Sequence, residues 1–404
     1  MTAQQAPCRI KRRKRPTWPV PVLTLSLTAM CLGGAYTSHA EVTEEPASAS
    51  RATTGSCVDR VLDGMTGPQR VGQLFMGGVA ASKPDQERIQ VLRQYHVGSV
   101  FLAGRSTSGT TATKALVDGL QTDADTGSRH RVGLLVSTDQ EGGQVQVLSG
   151  PGFSTIPSGL VQGSWPTAKL RSAATVWAKQ LKSAGVNLNL APVADVVPAG
   201  LGTNNGPIGR YDREFGHTAT TVTTHSNAFA AGFAQADVLA TLKHFPGLGN
   251  VRGNTDTTPN VVDSVTTSQS SSIVPFTSGI KAGVPFVMVS LATYTKIDPR
   301  HQAVFSSAVI QGLLRKTLGF KGVVISDDLG NAVAVKAVPP TDRALNFLSA
   351  GGDLVLTVEP KVIPSMAKAV QDRMARDAAF RTQVDQSVRR ILTAKQRAGA
   401  LSCG

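Results

Sequence analysis

Carboxylates directly follow apolar, strand-like runs in this 404-residue chain. The clearest case is residues 322–326 (GVVIS), which lead into Asp327 and Asp328. Other runs end in the same way at polar residues: Asp139, Asp195 and the pair Lys243 and His244. Carboxylates with Lys and His, and without a Cys/His metal cluster, suit sugar chemistry, in which one carboxylate attacks or stabilises the anomeric carbon and a second group transfers the proton. This chemistry needs no metal or other cofactor, and we predict none.

Apolar runs alternate with amphipathic or alanine-rich stretches from Cys57 onward. The runs cover residues 74–79, 99–103, 134–138, 187–194, 239–243, 286–291, 322–326 and 354–358. Stretches long enough for crossover helices include residues 86–95, 169–184, 219–235, 306–318 and 341–350. This alternation predicts an α/β fold, a single-domain (β/α)8 TIM-type barrel. An open doubly wound sheet would place a G-x-G-x-x-G turn after its first strand, and residues 74–79 (LFMGGV) lack that pattern.

A (β/α)8 barrel brings the carboxyl ends of all its strands to one mouth, where active sites are built. The polar residues that end the apolar runs should therefore converge there: Asp139, Asp195, Lys243, His244, Asp327 and Asp328. A single Asp after a strand can instead cap the helix that follows. Several such residues aimed at one mouth favour an enzyme.

Five segments carry a family resemblance. Residues 243–249 (KHFPGLG) resemble the motif K-H-F-P-G-H-G, and residues 139–146 (DQEGGQVQ) resemble D-Q-E-G-G-R-V-Q. Residues 191–196 (APVADV) resemble A-P-V-x-D-V, and residues 325–329 (ISDDL) resemble F-S-D-D-L. Residues 208–216 (IGRYDREFG) resemble I-G-x-R-S-F-G with two added residues. Together, and in this order, they resemble glycoside hydrolase family 3, in its single-domain bacterial β-N-acetylglucosaminidase branch with an exported, actinobacterial type of member.

The resemblance implies retaining, exo-acting hydrolysis of terminal β-linked N-acetylglucosamine from cell-wall fragments or related glycans. Asp327 matches the family nucleophile, which forms a covalent glycosyl-enzyme intermediate. Four residues match positions that hold sugar hydroxyls: Asp139, Arg213, Lys243 and His244. Asp195 either joins them in substrate binding or orients Arg213 or Lys243.

Two departures from the branch concern its polar residues. Gln144 stands where the branch has Arg, which removes one positive charge from the mouth. More importantly, the branch's proton-shuttling His falls at Asp256 when residues are counted from Lys243. A carboxylic acid is the ordinary acid/base of other glycosidases, so we predict that Asp256 is the second catalytic residue, on a loop that its glycines allow to swing over the sugar. In the alternative interpretation, Asp256 only caps a turn. Leu248, which replaces a motif His, is expected to be structural.

The first 40 residues predict a signal peptide. They contain a basic cluster, an apolar stretch over residues 18–36 and the small residues Ser38 and Ala40 before the cleavage site. A retained membrane anchor is the alternative. Removing residues 1–40 takes away six basic residues and lowers the formal charge from +14 to +8. Residues 41–56 predict a flexible tether and residues 57–404 the catalytic domain, so we expect an exported protein, secreted or associated with the cell envelope.

Cys57 and Cys403 are the only cysteines after residue 40. In an exported protein, two cysteines at the two ends of a domain predict a disulfide between them. Two free thiols are the alternative.

The expected partner is a carbohydrate, a glycan or muropeptide that contains N-acetylglucosamine. No stripe of Lys and Arg with interleaved aromatics indicates nucleic-acid binding. Two other functions stay open at this stage. Lys243 could form a Schiff base, as in a lyase or aldolase, with Asp195 or Asp327 as proton carriers. The altered loop at Asp256 is also compatible with a catalytically weakened, sugar-binding protein. The leaving group and the oligomeric state are not specified by the sequence.

Overall fold

The computed structural model describes residues 56–123 and 132–402. Eight strands in these ranges form one parallel sheet. In chain order they are β1 (Phe75–Ala80), β2 (Ser99–Ala103), β3 (Leu135–Thr138), β4 (Leu188–Asn189), β5 (Leu239–Phe245), β6 (Phe286–Val289), β7 (Val323–Ser326) and β8 (Val355–Thr357). Each of the eight predicted apolar runs overlaps one of these strands.

The sheet curls into a nearly closed barrel. Each strand pairs in parallel with the next, and β1 also pairs with β8 through Phe75 and Val355. Strands β7 and β8 are joined by a parallel bridge between Ile325 and Leu354, and the amide of Ser326 donates to the carbonyl oxygen of Leu354 at 3.0 Å. The predicted (β/α)8 barrel is therefore confirmed.

Helices follow the strands and cover the outside of the barrel. They are α1 (Cys57–Gly64), α2 (Gly67–Gln73), α3 (Gln86–Gln94), α4 (Gly109–Asp123), α5 (Gly159–Gln162), α6 (Thr167–Ser183), α7 (Ala219–Ala234), α8 (Val274–Lys281), α9 (Pro340–Ser349), α10 (Ile363–Arg376) and α11 (Ala378–Arg397). The five predicted crossover helices are present within about two residues at each end. The one at residues 306–318 has π-type hydrogen bonding over Ala308–Thr317.

Local sequence explains several helix starts. Ser56 and Asp59 form a reciprocal capping box at α1, and Thr66 and Gln69 do the same at α2. The side chain of Asp85 accepts the amide of Glu87 at the start of α3. Of these three caps, the one at α3 marks the end of the loop after β1.

The barrel interior and the layer beneath the helices are apolar. The strands read as nearly continuous Val, Ile, Leu and Phe because both faces of a parallel barrel sheet are covered. Strand β4 departs from this pattern, because it has only two residues, Leu188 and Asn189, and the second is polar. Its buried Asn189 side chain accepts the amide of Gln140 and donates to the carbonyl of the same residue, at 3.0 and 3.1 Å. This polar pair ties the loop after β3 to β4.

Two short pairs of strands lie in loops that follow the barrel strands. Gln140–Gly142 pairs with Val145–Gln146 in an antiparallel ribbon after β3, and Val262–Asp263 pairs with Thr293–Tyr294 between the loops after β5 and β6. Across the part of the chain that the structure describes, no helix has the length and apolar character to cross a membrane. The predicted signal peptide at residues 1–40, residues 41–55 of the predicted tether, and Cys403 lie outside the described residues. The pairing of Cys57 with Cys403 stays a prediction.

Candidate active site

A cavity of about 240 Å³ opens at the carboxyl ends of the strands. It is lined by seven of the polar residues selected from the sequence: Asp139, Arg213, Lys243, His244, Asp256, Asp327 and Asp328. Apolar side chains, among them Leu190, Met288 and Leu356, form part of the remaining surface. The barrel therefore brings together residues that are far apart in the sequence, as predicted.

An irregularity in β5 presents two consecutive side chains to this cavity. The pairing of β5 with β6 shifts between Leu242 and Phe245, where three steps along β5 match two along β6. In a regular strand, Lys243 and His244 would point to opposite faces. The extra residue re-aims one of them, so that both line the cavity.

Lys243 lies between two carboxylates. Its Nζ is 2.6 Å from Oδ1 of Asp139 and 2.5 Å from Oε1 of Glu141, and the residue is only 2% exposed. Burial alone would lower the pKa of Lys243, but Asp139 and Glu141 outweigh it and raise this pKa. A Schiff-base lysine must present a neutral amine. The two ion pairs hold Lys243 in its charged form and therefore oppose the lyase or aldolase alternative.

Glu141 also binds Arg213 in a bidentate pair. The Nε and Nη2 atoms of Arg213 donate to the two carboxylate oxygens at 2.8 and 2.7 Å. A third donor, Nη1, reaches the carbonyl oxygen of Pro207 at 2.8 Å. Burial raises the pKa of Glu141, but Arg213 and Lys243 more than offset this and hold it at about 2. We call Asp139, Glu141, Arg213 and Lys243 the paired cluster.

Glu141 is the site residue that was missed among the sequence candidates. The signal was its spacing, since Asp139 and Glu141 are two residues apart in DQEGG. Residues at positions i and i+2 of an extended segment face the same way. The short strand Gln140–Gly142 keeps the segment extended, so both carboxylates reach Lys243.

Asp195 binds both the ring and the backbone amide of His244. The Nδ1 atom of His244 is 2.8 Å from Oδ2 of Asp195, while Oδ1 accepts the backbone amides of His244 at 3.1 Å and Leu248 at 2.8 Å. Asp195 is 0% exposed and does not line the cavity. This differs from the expectation that it binds substrate or orients Arg213 or Lys243. It fixes the ring of His244 and the start of the loop after β5.

Asp327 begins the loop after β7, and its carboxylate has few partners. Its backbone amide donates to the carbonyl of Val289 at 3.1 Å, and Oδ1 accepts the amide of Asp328 at 2.9 Å. Burial raises the pKa of Asp327 to about 6. The charge of His244 works against this rise, and the charges of Asp256 and Asp328 add to it. The result is a carboxylate that ionises near neutral pH.

Asp328 has a different role from its neighbour. Its Oδ1 accepts the amides of Gly330 and Val358 at 2.9 and 3.0 Å, and its Oδ2 accepts the amide of Asn331 at 3.1 Å. Such contacts are those of a turn-organising Asp. The structural interpretation of an Asp after a strand therefore holds for Asp328 and not for Asp327.

Asp256 reaches the same cavity from the loop after β5. Its backbone amide donates to Oδ1 of Asn254 at 2.9 Å, and its carbonyl accepts the amide of Val333 at 3.1 Å. The carbonyl of Thr255 accepts the amide of Ala334 at 3.0 Å. These bonds tie Asp256 to the segment that follows Asp327, while its side chain is exposed and lines the cavity.

The loop that carries Asp256 is held to neighbouring segments by backbone contacts, and its swing over the sugar stays a prediction. Leu248 is buried, as expected for a structural residue, and Nδ2 of Asn205 donates to the carbonyls of Leu248, Gly249 and Val251. A Cβ on Gly249 would lie 1.8 Å from the carbonyl oxygen of Val196. This glycine is needed for close backbone packing.

The arrangement suits a polyol substrate. Charged groups give strong hydrogen bonds to hydroxyls, and the paired cluster supplies them in a fixed geometry. Asp327 and Asp256 add a carboxylate that can attack and one that can exchange protons with solvent. Within residues 56–123 and 132–402, no group of three or more His, Cys, Asp and Glu side chains is placed to hold a metal ion.

Comparisons with known proteins agree with this site. The family model described as glycosyl hydrolase family 3 N terminal domain matches residues 67–394. A beta-hexosaminidase of Xanthomonas axonopodis pv. citri is 33% identical over 76% of this chain and 90% of its own length. The crystal structure of a beta-N-acetylhexosaminidase from Beutenbergia cavernae is 48% identical, covers 82% of this chain and 99% of that one, and superposes with a TM-score of 0.80. A beta-N-acetylglucosaminidase from Paenibacillus, a family 3 glycoside hydrolase, is 28% identical over 83% of this chain and 63% of that one, with a TM-score of 0.76.

Proposed function

Because this chain belongs to glycoside hydrolase family 3 and is a glycoside hydrolase, we propose that it removes terminal β-linked N-acetylglucosamine with retention of configuration. The observation that supports this most is that one cavity contains two carboxylates with different surroundings. Asp327 is half-buried and accepts one hydrogen bond, whereas Asp256 lines the same cavity and is exposed to solvent. Retaining hydrolysis requires one carboxylate that attacks and one that transfers protons.

In the first step, the ionised Oδ of Asp327 attacks the anomeric carbon, and the bond from that carbon to the leaving oxygen breaks. The leaving oxygen takes the proton of the Asp256 carboxyl. In the second step, Asp256 removes a proton from a water molecule, which attacks the anomeric carbon and releases Asp327. Asp256 ends the cycle protonated and Asp327 ionised, so no other reactant is consumed.

The size of the cavity supports exo-acting cleavage. At about 240 Å³ it is smaller than the ~300–1,000 Å³ typical of sites for drug-sized ligands. One sugar ring fits this space better than a chain of them. The paired cluster would hold its hydroxyls, and the names of the relatives from Beutenbergia and Paenibacillus favour an N-acetylated sugar.

The substrate that fits an exported enzyme of this kind is a cell-wall fragment or a related glycan. The support is the predicted signal peptide at residues 1–40 together with the net charge of +8 on the residues after Ala40, which favours an anionic envelope. Detection of the mature protein outside the cytoplasmic membrane, with a new amino terminus after Ala40, would support this placement. Full-length protein in the cytoplasm would contradict it.

A panel of aryl β-glycosides tests the function. The N-acetylglucosaminide should be hydrolysed, while the matched glucoside without the N-acetyl group should be a much poorer substrate. Proton NMR of the first product should show the β anomer before mutarotation, because two inversions give retention. Binding of N-acetylglucosamine without turnover of any glycoside would instead support the sugar-binding alternative, and an α anomer would exclude the covalent intermediate.

A further inference from the structure

Two adjoining cavities, each of about 310 Å³, lie at the amino ends of β5, β6 and β7. Val323, the first residue of β7, lines one of them, and Leu239, the first residue of β5, lines the other. Both are lined by Pro285, which precedes β6, and by Arg397, the last residue of α11. The active-site cavity lies at the carboxyl ends of the strands, so these two cavities lie at the opposite end of the barrel.

The cavity beside β7, which we call the basic cavity, is lined by three cations. They are Lys321, Arg390 and Arg397, and none of the described residues of this lining is acidic. Lys321 and Arg397 are exposed, and within the described part of the chain neither has a carboxylate at ion-pair distance. Their charges are therefore available to an anion that enters the cavity.

Arg390 keeps part of its charge although it is paired. Its Nη1 donates to Oδ1 of Asp353 at 2.9 Å, and Arg315 binds the other oxygen of the same carboxylate. Asp353 also accepts the hydroxyl of Ser387 and the amide of Val324, both at 2.8 Å. One carboxylate thus serves two guanidinium groups, and a net positive charge remains beside the basic cavity.

The cavity beside β5, which we call the apolar cavity, lies between α7 and α8. Small side chains of these helices and of the turn after α8 line it: Ala230, Ala231, Ala234, Gly279 and Ala282. Its acidic residue, Asp237, is already paired with Lys182 at 2.8 Å. Asn227 also lines the cavity, and its buried Oδ1 has no hydrogen-bond partner among the described residues, although its Nδ2 donates to Ser278 at 2.8 Å. Apolar surface and a free acceptor therefore lie next to the cations.

An anion with an apolar part fits the two cavities together. Guanidinium and ammonium groups bind phosphate oxygens through charge-assisted hydrogen bonds. A free phosphate ion would use these cations and leave the apolar cavity empty. An anionic phospholipid has a phosphate and an acyl part, and a glycerol headgroup adds hydroxyls that can donate to Asn227. Lys and Arg residues close to an anionic membrane are also attracted to its surface.

We propose that the amino end of the barrel docks on anionic phospholipid, with the lipid phosphate bound by Lys321, Arg390 and Arg397. The inference goes beyond the proposed hydrolysis and does not depend on it, because it concerns the end of the barrel opposite the active site. In this orientation the active-site cavity opens on the side away from the membrane, where glycans can reach it.

Sedimentation of the full chain with vesicles tests the proposal. One set of vesicles contains phosphatidylcholine alone, and the other contains phosphatidylcholine with phosphatidylglycerol. The measured quantity is the ratio of the two partition coefficients, because any binding through the apolar residues 18–36 is common to both sets. The ratio should exceed one and should fall as salt is raised to about 0.5 M, since salt screens exposed charges.

Paired double variants locate the surface. Lys321→Ala with Arg397→Ala should lower the ratio about 25-fold, because each cation near an anionic surface contributes about fivefold. Lys83→Ala with Lys336→Ala is the matched control, since these exposed lysines follow β1 and β7 at the mouth and the loss of charge is the same. The control should keep the ratio of the unmodified protein. All four side chains are exposed, so neither double variant should unfold.

Three outcomes would overturn the proposal. An unchanged ratio in the first double variant would show that the basic cavity does not bind the lipid. An equal fall in both double variants would mean that net charge, rather than this surface, drives binding. Displacement of the protein from the anionic vesicles by glycerol phosphate, at a concentration equal to that of the lipid phosphate, would show that the basic cavity takes a free anion. Because the measurement uses no glycoside, failure of the proposed hydrolysis would leave it unaffected.

Discussion

Glu141 and Asp327 are both carboxylates at the barrel mouth, the first buried and the second half-buried, and their surroundings are opposite. Glu141 is held by Arg213 and Lys243, which lower its pKa to about 2. Asp327 accepts one backbone amide, and burial raises its pKa to about 6. The paired cluster gains a fixed geometry from its bonds. Asp327 lacks such bonds, and this leaves its oxygens available to a substrate.

The largest effect should follow from neutralising the unpaired carboxylate. Asp327→Asn should lower kcat by about three orders of magnitude or more, because the amide cannot form the glycosyl-enzyme bond. A 2-fluoro glycoside should label Asp327 in the unmodified protein, which mass spectrometry of the digested protein can detect. Label on Asp328 would contradict the assignment.

Removing the second carboxylate should affect substrates unequally. Asp256→Ala should slow substrates with poor leaving groups by about 10²–10⁴, the usual contribution of a general acid. Activated aryl glycosides need little protonation and should lose much less, and azide should partly rescue them by replacing the activated water. Steady-state rates on both substrate types measure this. An equal loss on both, without an azide effect, would mean that Asp256 only shapes the loop.

Removing a carboxylate from the paired cluster should instead lower the free energy of unfolding. Glu141→Gln removes one partner of a buried ion pair and leaves Arg213 and Lys243 undercompensated, which should lower the free energy of unfolding by roughly 3–5 kcal/mol. Glu87→Gln is the control, since its ion pair with Lys361 at 2.8 Å is exposed and should contribute little. Urea unfolding of both variants provides the comparison. Equal, small losses would show that the cluster is no more than a surface pair.

The two carboxylates should also respond oppositely to pH. The pKa of Glu141 is lowered from 4.5 to about 2, so its stabilisation is present above pH 4.5 and lost as the pH falls toward 2. The pKa of Asp327 is raised from 3.8 to about 6, so its burial costs nothing below pH 3.8 and costs most above pH 6.

Asp327→Asn should therefore stabilise the protein above pH 6, by up to about 3 kcal/mol for a shift of this size, and should have little effect near pH 4. Thermal and urea unfolding across this range would measure the difference. A stability gain that does not vary with pH would mean that the ionisation of Asp327 is not its cause.

The sequence predicted the barrel and most of the cavity for physical reasons. Apolar runs that end at carboxylates identify strands and their polar ends, and the barrel geometry then brings Asp139, Lys243 and Asp327 together. What it did not predict depends on side-chain partners. Asp195 binds His244, and Glu141 binds both Arg213 and Lys243. These contacts depend on distances between loops, which no local sequence pattern encodes.

The Asp256 loop illustrates the same limit. Its glycines were interpreted as a source of mobility, and the structure uses Gly249 for close contact with the backbone at Val196. Glycine permits both a flexible turn and a tight approach. The contacts of the loop with Asn205 and Ala334 come from segments distant in the sequence, so no local pattern could predict them.

The smallest expected effect links the two carboxylates of the cavity to each other. The charge of Asp256 contributes to the raised pKa of Asp327, together with burial, which is the larger cause. Asp256→Asn removes that charge and retains the shape of the side chain. The acid limb of kcat/KM for an activated aryl glycoside, which reports the ionisation of the nucleophile in the free enzyme, should therefore move to lower pH. Glu87→Gln, far from the cavity residues in sequence and exposed, should leave this limb in place. An acid limb that does not move in Asp256→Asn would show that the charge of Asp256 does not contribute to the raised pKa of Asp327.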